Sequence, residues 1–265
     1  MATFIISENG IKATKRKNIS ADYVGPVISV SDGNKKLKST NGKIDENGAY
    51  IPSTKWLIFN LPAVVTCPFR TRLCGGFLRG EKRFEIDPKT GKQIDKMAYC
   101  YAVKAEKAYP TVIPARRKNL RATLMPGFVD AMSELILKTA RNMKKERLIV
   151  RIHESGDFYN QQYAKAWLEI ARRCAHDVRI VFWVYTKSFV YFDGVKLPKN
   201  FRLRASVWAD TEPEQLEIIR RNSWPIYTVY KNELPAGYTE CFCKDCANCN
   251  QCGDMSIKSI ACKQH

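Results

Sequence analysis

The run Ile180-Val181-Phe182-Trp183-Val184 is apolar at every position. Successive side chains of a strand point to opposite faces, so a strand made from this run is buried on both sides. That is the environment of a parallel sheet covered on both faces. The segments around it alternate in kind. Leu148–His153 reads as a strand, Gln161–Cys174 as a helix and Val178–Tyr185 as a strand. Phe201–Trp208 reads as a strand, Pro213–Arg221 as a helix and Ile226–Tyr230 as a strand. Upstream, Trp56-Leu57-Ile58-Phe59 reads as a buried strand, and Phe84 to Ile94 as a hairpin with Gly91 in its turn. Tyr101–Ala108 reads as one helix, interrupted after its end by Pro110 and Pro114. Gly127–Met143 reads as a second, with Phe128, Met132, Leu135, Ile136 and Met143 on one face. Strand–helix–strand alternation implies parallel pairing through right-handed crossovers. The expected fold is α/β: a parallel-stranded barrel or partial barrel, with a cysteine-rich metal-binding C-terminal extension folded over one end.

Three regions follow from this pattern. Residues 1–54 are basic and turn-rich, with hairpin signals at Asp32-Gly33, Asn41-Gly42 and Asn47-Gly48. They read as short antiparallel strands or a mobile arm. Residues 55–235 form the α/β core, and residues 236–265 form a cysteine-rich tail packed on it. Lys+Arg total 44 against 26 Asp+Glu, a formal charge of +18. This excludes an acidic-surface protein and points to a polyanionic partner, most simply nucleic acid. Lys15, Arg16 and Lys17 form a basic cluster suited to neutralising phosphates. The apolar stretches Trp56–Val65 and Val178–Tyr185 are broken by Asn60, Pro62 and Arg179. Neither approaches the ~20 residues of a membrane-spanning helix. The N-terminus lacks the charged and apolar segments of a secretory signal. A cytoplasmic protein without membrane contact is expected.

Ten cysteines need an account. In a reducing cytosol, metal or catalytic roles outrank disulfides. Cys243-x2-Cys246-x2-Cys249-x2-Cys252 is the most specific motif, with Cys241, Cys262 and His265 as further donors. Thiolates suit zinc and iron–sulfur clusters. Zinc sites pair two short knuckles across a longer spacer, whereas consecutive Cys-x2-Cys-x2-Cys matches a run that wraps a [4Fe–4S] cube. An iron–sulfur cluster is therefore expected, with zinc as the alternative, and its role is either a staple for the tail or catalysis. Cys67, Cys74 and Cys100 make a second group. The hairpin between them returns the chain, so Cys100 can approach Cys74. Three protein ligands leave one metal position open. Alternatively, these three complete the tail site or stand as isolated thiols. Cys174, within a helical pattern, reads as a buried free thiol.

In parallel α/β folds, functional groups gather at the C-terminal ends of the strands. His153, Glu154 and Asp157 lie in Arg151-Ile152-His153-Glu154-Ser155-Gly156-Asp157-Phe158, which leaves one strand. Lys187 ends the next, Asp210 follows the third and Lys231 the fourth. Carboxylates beside lysine and histidine can transfer protons, bind a hard cation, or hold a ribose or phosphate. The competing reading makes Ser155, Asp157 and Asp210 caps of the helices that follow.

Taken together, Cys67-Pro68, Cys74, Cys100-Tyr101-Ala102, the Arg151–Asp157 segment, Tyr185-Thr186-Lys187 and Cys246-x2-Cys249-x2-Cys252 closing on His265 carry a resemblance. The chain resembles the gene-product-88 domain family of phages and mobile elements over most of residues 55–265. That resemblance implies a phage- or plasmid-encoded protein, placed in the host cytosol. The Cys-Tyr-Ala ending is also similar to the motif of radical-SAM-like barrels, in which three cysteines hold a [4Fe–4S] cluster whose open iron binds S-adenosylmethionine. The spacing here, Cys67-x6-Cys74-x25-Cys100, is longer than the Cys-x3-Cys-x2-Cys of that superfamily. The expected function is an iron–sulfur protein acting on nucleic acid. Cys67, Cys74 and Cys100 form an open cluster, or join the tail's ligands, and His153, Glu154, Asp157 and Lys187 line the pocket. The rivals are a non-catalytic nucleic-acid-binding module stabilised by zinc or a cluster, and a Mg²⁺-dependent nuclease using Asp157, Glu154 and Asp210.

Overall fold

The computed structural model describes residues 2–7, 10–14, 24–34, 37–45, 48–71, 74, 84–86, 88–95, 100–242, 246, 249 and 251–263. In chain order the N-terminal half gives β1 (Ala2–Ser7), β2 (Gly10–Thr14), β3 (Ile28–Ser31), β4 (Lys43–Ile44), β5 (Tyr50–Ile51), β6 (Thr54–Phe59), β7 (Phe84–Ile86) and β8 (Gln93–Asp95). Three helices follow: α1 (Tyr101–Ala108), α2 (Val112–Thr123) and α3 (Phe128–Asn142). The remainder is β9 (Arg147–Ile152), α4 (Gln161–Cys174), β10 (Ile180–Thr186), β11 (Phe201–Val207), α5 (Pro213–Arg221), β12 (Ile226–Tyr230), β13 (Thr239–Glu240) and β14 (Ser259–Lys263).

Ten strands form one sheet in the order β13-β14-β12-β11-β10-β9-β6-β3-β1-β2, with β4–β5 and β7–β8 as separate hairpins. From β13 to β6 every pairing is parallel. Beyond β6 the pairings turn antiparallel. The consecutive strands β6, β9, β10, β11 and β12 lie side by side in chain order, so right-handed crossovers put their helices on one face. On that face Leu57, Phe59, Val150, Phe182 and Leu203 pack against Met132, Leu135 and Ile136 of α3 and Trp167 and Ile170 of α4. The alternate residues Trp56, Ile58, Ile149, Val181 and Trp183 form a second core, with Cys246 and Cys252 of the tail packed against it. Both faces of the Ile180–Val184 run are thus covered, one by helices and the other by the tail.

The sheet does not close into a barrel among the described strands. Its edges are β13 and β2. The edge of β6 on which a last parallel strand would have to close is hydrogen-bonded to antiparallel β3. The α/β class and the parallel pairing hold, and the closed-barrel alternative gives way to an open, singly wound sheet with an antiparallel wing. Residues before 55 and after 235 add strands to the same sheet as the core between them.

The segment carrying Pro114 is helical, as the third residue of α2. The first four N–H groups of a helix have no intrahelical acceptor, so proline there removes no bond. α4 starts at an Asn160 cap, whose side chain accepts from the Tyr163 N–H at 2.8 Å. Cys174 is a buried free thiol at its end. Among the described residues no helix is long and apolar enough to cross a membrane.

Candidate functional site

Because β6, β9, β10 and β11 run parallel, the loops that leave them meet at one edge. The first two of these loops are zipped together. Leu61 N–H donates to the Ser155 carbonyl at 2.9 Å. The Ser155 hydroxyl returns a 2.9 Å bond to the Leu61 carbonyl. The Asn60 side chain accepts from the N–H groups of Glu154 at 2.7 Å and Ser155 at 3.1 Å. Asp157 N–H donates to the Thr66 carbonyl at 3.2 Å, one residue before Cys67. Gly156 makes this contact fit. Its φ is +80°, and a Cβ there would lie 2.6 Å from both Leu61 Cβ and Thr66 Oγ1. Only glycine meets both demands without strain.

Asp157 then reaches the third loop. One carboxylate oxygen accepts from the Phe158 N–H at 2.8 Å and the Thr186 hydroxyl at 2.5 Å. The other accepts from the N–H groups of Lys187 at 2.8 Å and Ser188 at 3.3 Å. Burial pushes its pKa up, against the pull of Thr186, the Lys187 and Phe158 amides and the Lys187 charge. Asp157 therefore caps the turn after β10 and not a helix. With both oxygens in use, it serves better as a brace than as a ligand for a hard cation.

The brace fixes Lys187, which is 8% exposed. Its ammonium donates to the Ser206 hydroxyl at 3.0 Å and lies 5.0 Å from the Trp208 ring centroid. Burial lowers the Lys187 pKa, while Cys74, Asp157, Asp210 and Cys67 act to raise it. Cys67 and Cys74 are correspondingly near it. Burial lifts the Cys67 thiol to about 12, helped by Asp157, Cys74 and Cys100. Burial also raises Cys74, with Lys187 opposing and Cys100, Asp157 and Asp210 adding to it. The structure thus brings Cys67, Cys74, Cys100, Asp157, Lys187 and Asp210 into one electrostatic neighbourhood at the strand ends. Cys100 is also the residue that caps α1. The Tyr101 hydroxyl that follows donates to the Glu154 carbonyl.

His153 and Glu154 are turned elsewhere. His153, at φ +62°, is buried in the aromatic core. Its Nε2 lies 2.9 Å from the Tyr163 hydroxyl, and its ring stands edge-on to Phe158 at 4.9 Å. Burial drives its pKa to about 3, so it is neutral at ordinary pH. The Glu154 carboxylate accepts from Asn34 on the antiparallel side.

Cys246 and Cys252 of the tail lie on the sheet face away from the helices. A hydrogen bond from Cys241, one from Tyr185 and the Arg204 guanidinium hold the Cys252 thiol below its ordinary range, against burial. Cys249 also acts on Cys252. Tyr227 is hydrogen-bonded to Cys262. Arg204, 1% exposed, pins this segment by donating to the carbonyls of Cys252 at 2.9 Å, Ile257 at 2.8 Å, Gln251 at 3.2 Å and Asp254. No sequence signal marked it, because an arginine inside a strand reads as a surface residue until the covering tail is placed. Gly253 completes the fit. A Cβ there would sit 2.2 Å from the Trp183 ring.

The soft-donor chemistry of both sulfur groups suits an iron–sulfur cluster or zinc. As placed, no three His, Cys, Asp or Glu side chains among the described residues enclose a common metal position. Lys15, Arg16, Lys17, Cys243 and His265 lie outside the described residues.

A family model described as gene product 88 matches residues 28–263. The Gene 88 protein of Mycobacterium phage D29 is 29% identical over 129 residues, 46% of this chain and 50% of that protein. The Gene 88 protein of Mycobacterium phage L5 is 25% identical over 129 residues, 46% of this chain and 51% of that protein. These alignments span about half the length of either relative. No solved structure matches.

Proposed function

The chain belongs to the gene product 88 family, and from that premise we propose that it is a cytosolic phage-type iron–sulfur enzyme acting on nucleic acid. Cys67, Cys74 and Cys100 would hold its cluster once their loops close on it, since as placed they do not enclose a common metal position. One observation carries the reading. Three thiols spread over 34 positions act on one another at the carboxyl edge of a parallel sheet, Cys100 on Cys67 and Cys74, and Cys67 and Cys74 in turn act on Lys187. That is where this class of fold builds active sites. Three protein thiolates would leave one metal position for a substrate or co-substrate, and a bound cluster would supply a Lewis-acidic or electron-donating centre there.

The chain's own residues supply the rest. Asp157 orients Lys187 through the backbone. Lys187 presents a buried cation to an anionic group beside the thiols. Trp208 sets its ring beside the Lys187 ammonium. The saturation of Asp157 by four donors weighs against the Mg²⁺ nuclease. In the tail, Cys241, Cys249 and Cys252 are suited to a second, structural metal.

Protein purified without air is expected to carry iron and acid-labile sulfide. Replacing Cys67, Cys74 and Cys100 together by Ser should lower both while leaving the tail's share. Iron and sulfide unchanged in that variant would overturn the assignment. Zinc without sulfide would transfer it to the structural-zinc module.

A further inference from the structure

Charge on this protein is not spread evenly among its helices. On α4, Arg172 and Arg173 pair with Glu169 and Asp130. On α5, Arg220 pairs with Glu217 and Arg221 with Asp193. The α1–α2 pair is different. Between residues 101 and 123 the one acid is Glu106. It is used internally, accepting from the Ala63 N–H at 2.8 Å and pairing with buried Arg116 at 2.8 Å. Arg116 also donates to the Ala102 carbonyl at 3.0 Å, which locks α2 onto α1. Arg116, Asn119 and Ala122 form the buried side of α2. Arg117 and Arg121, four residues apart, are exposed, as are Lys104 and Lys107 of α1. Lys104, Arg117 and Arg121 make no ion pair among the described residues.

Exposed aromatic rings stand at both ends of α1. Tyr101 opens α1 at 65% exposure, and Tyr109 closes it at 62%. Exposed tyrosines among unpaired cations match surfaces that bind single-stranded nucleic acid: cations follow the phosphates, and bases stack on the rings. A duplex hides the base faces that such rings need. The surface is also continuous with the candidate site, since α1 begins at Cys100 and the Tyr101 hydroxyl reaches the Glu154 carbonyl.

We infer that the exposed side of the α1–α2 pair is the docking surface for a single-stranded nucleic acid, with Lys104, Arg117 and Arg121 on its phosphates and Tyr109 stacking a base. This rests on the nucleic-acid reading above and adds where the strand lies and that it is unpaired.

The test is fluorescence anisotropy of full-length protein with a labelled single-stranded oligothymidylate over a sodium chloride series. The Lys104→Gln/Arg117→Gln/Arg121→Gln variant is expected to bind at least roughly tenfold more weakly at low salt. The slope of log K against log salt should shrink by about 2, since each single-strand phosphate contact contributes about 0.7. Tyr109→Ala should cost roughly fivefold or more. Arg172→Gln/Arg173→Gln should bind like the wild type. Iron content should be unchanged in all three. A wild type that binds no oligonucleotide overturns the nucleic-acid reading and this surface together. A wild type that binds, with a triple variant of equal affinity and slope, overturns only the surface. Equal losses in the α4 variant would show diffuse charge, and tighter binding to a duplex of the same length would reject the unpaired strand.

Discussion

The carboxylate of Asp157 holds the backbone N–H of Lys187 at 2.8 Å, from a loop on the neighbouring strand. Its partner oxygen holds Thr186 and Phe158. An amide in its place can turn only one oxygen toward four donors. Asp157→Asn should therefore lose about 3 kcal/mol of stability, the range for charged hydrogen bonds broken in a buried site. Urea denaturation reads this. A variant as stable as the wild type would remove Asp157 from its bracing role.

Gly156 sits where the loops after β6 and β9 touch. Gly156→Ala meets a disfavoured φ of +80° and contacts of 2.6 Å at once. Strain and overpacking of this kind cost about 1–3 kcal/mol each. The expected result is a destabilised protein that retains less iron, because the Cys67 loop is pushed away from Asp157. Normal iron content with normal stability would show that the loops do not depend on this contact.

Arg204 ties the tail to the sheet through four backbone carbonyls. Arg204→Met keeps the volume and removes every donor. Each buried carbonyl left without its donor costs about 1–3 kcal/mol when water does not replace it. Local release of the tail is expected first, seen as faster alkylation of Cys252 and proteolysis after residue 240. Unchanged alkylation rates would mean that other contacts hold the tail.

His153 should set an acid limit on stability. Its folded pKa, near 3 through burial, lies below the ordinary value of 6.5. Above 6.5 the imidazole is neutral both folded and unfolded and contributes no pH dependence. Between about 3 and 6.5 the unfolded chain takes up a proton that the native state refuses. Stability then falls as pH drops, by up to about 1.4 kcal/mol per unit. His153→Asn tolerates the left-handed backbone and does not titrate. Its stability should fall less steeply between pH 7 and 5, by denaturant titration at each pH. Parallel curves for the two proteins would contradict a buried neutral His153.

The sequence by itself determined the parallel sheet. Ile180–Val184 is apolar on both sides of any strand it forms, and the segments around it alternate between periods of 2 and 3.6. It also placed Asp157 and Lys187 at strand ends, because parallel strands deliver their following loops to one edge. Local patterns did not separate residues that share a loop. His153 and Asp157 stand four positions apart, yet a positive φ sends one into the aromatic core and leaves the other bracing Lys187. Only the tertiary structure decided that β3 occupies the free edge of β6 and leaves the sheet open, since strand pairing between distant segments has no local signature. It alone buried Arg204 under the tail and left Arg117 and Arg121 exposed. The reason is common to both: an arginine's environment is set by what packs over it, and that comes from remote parts of the chain.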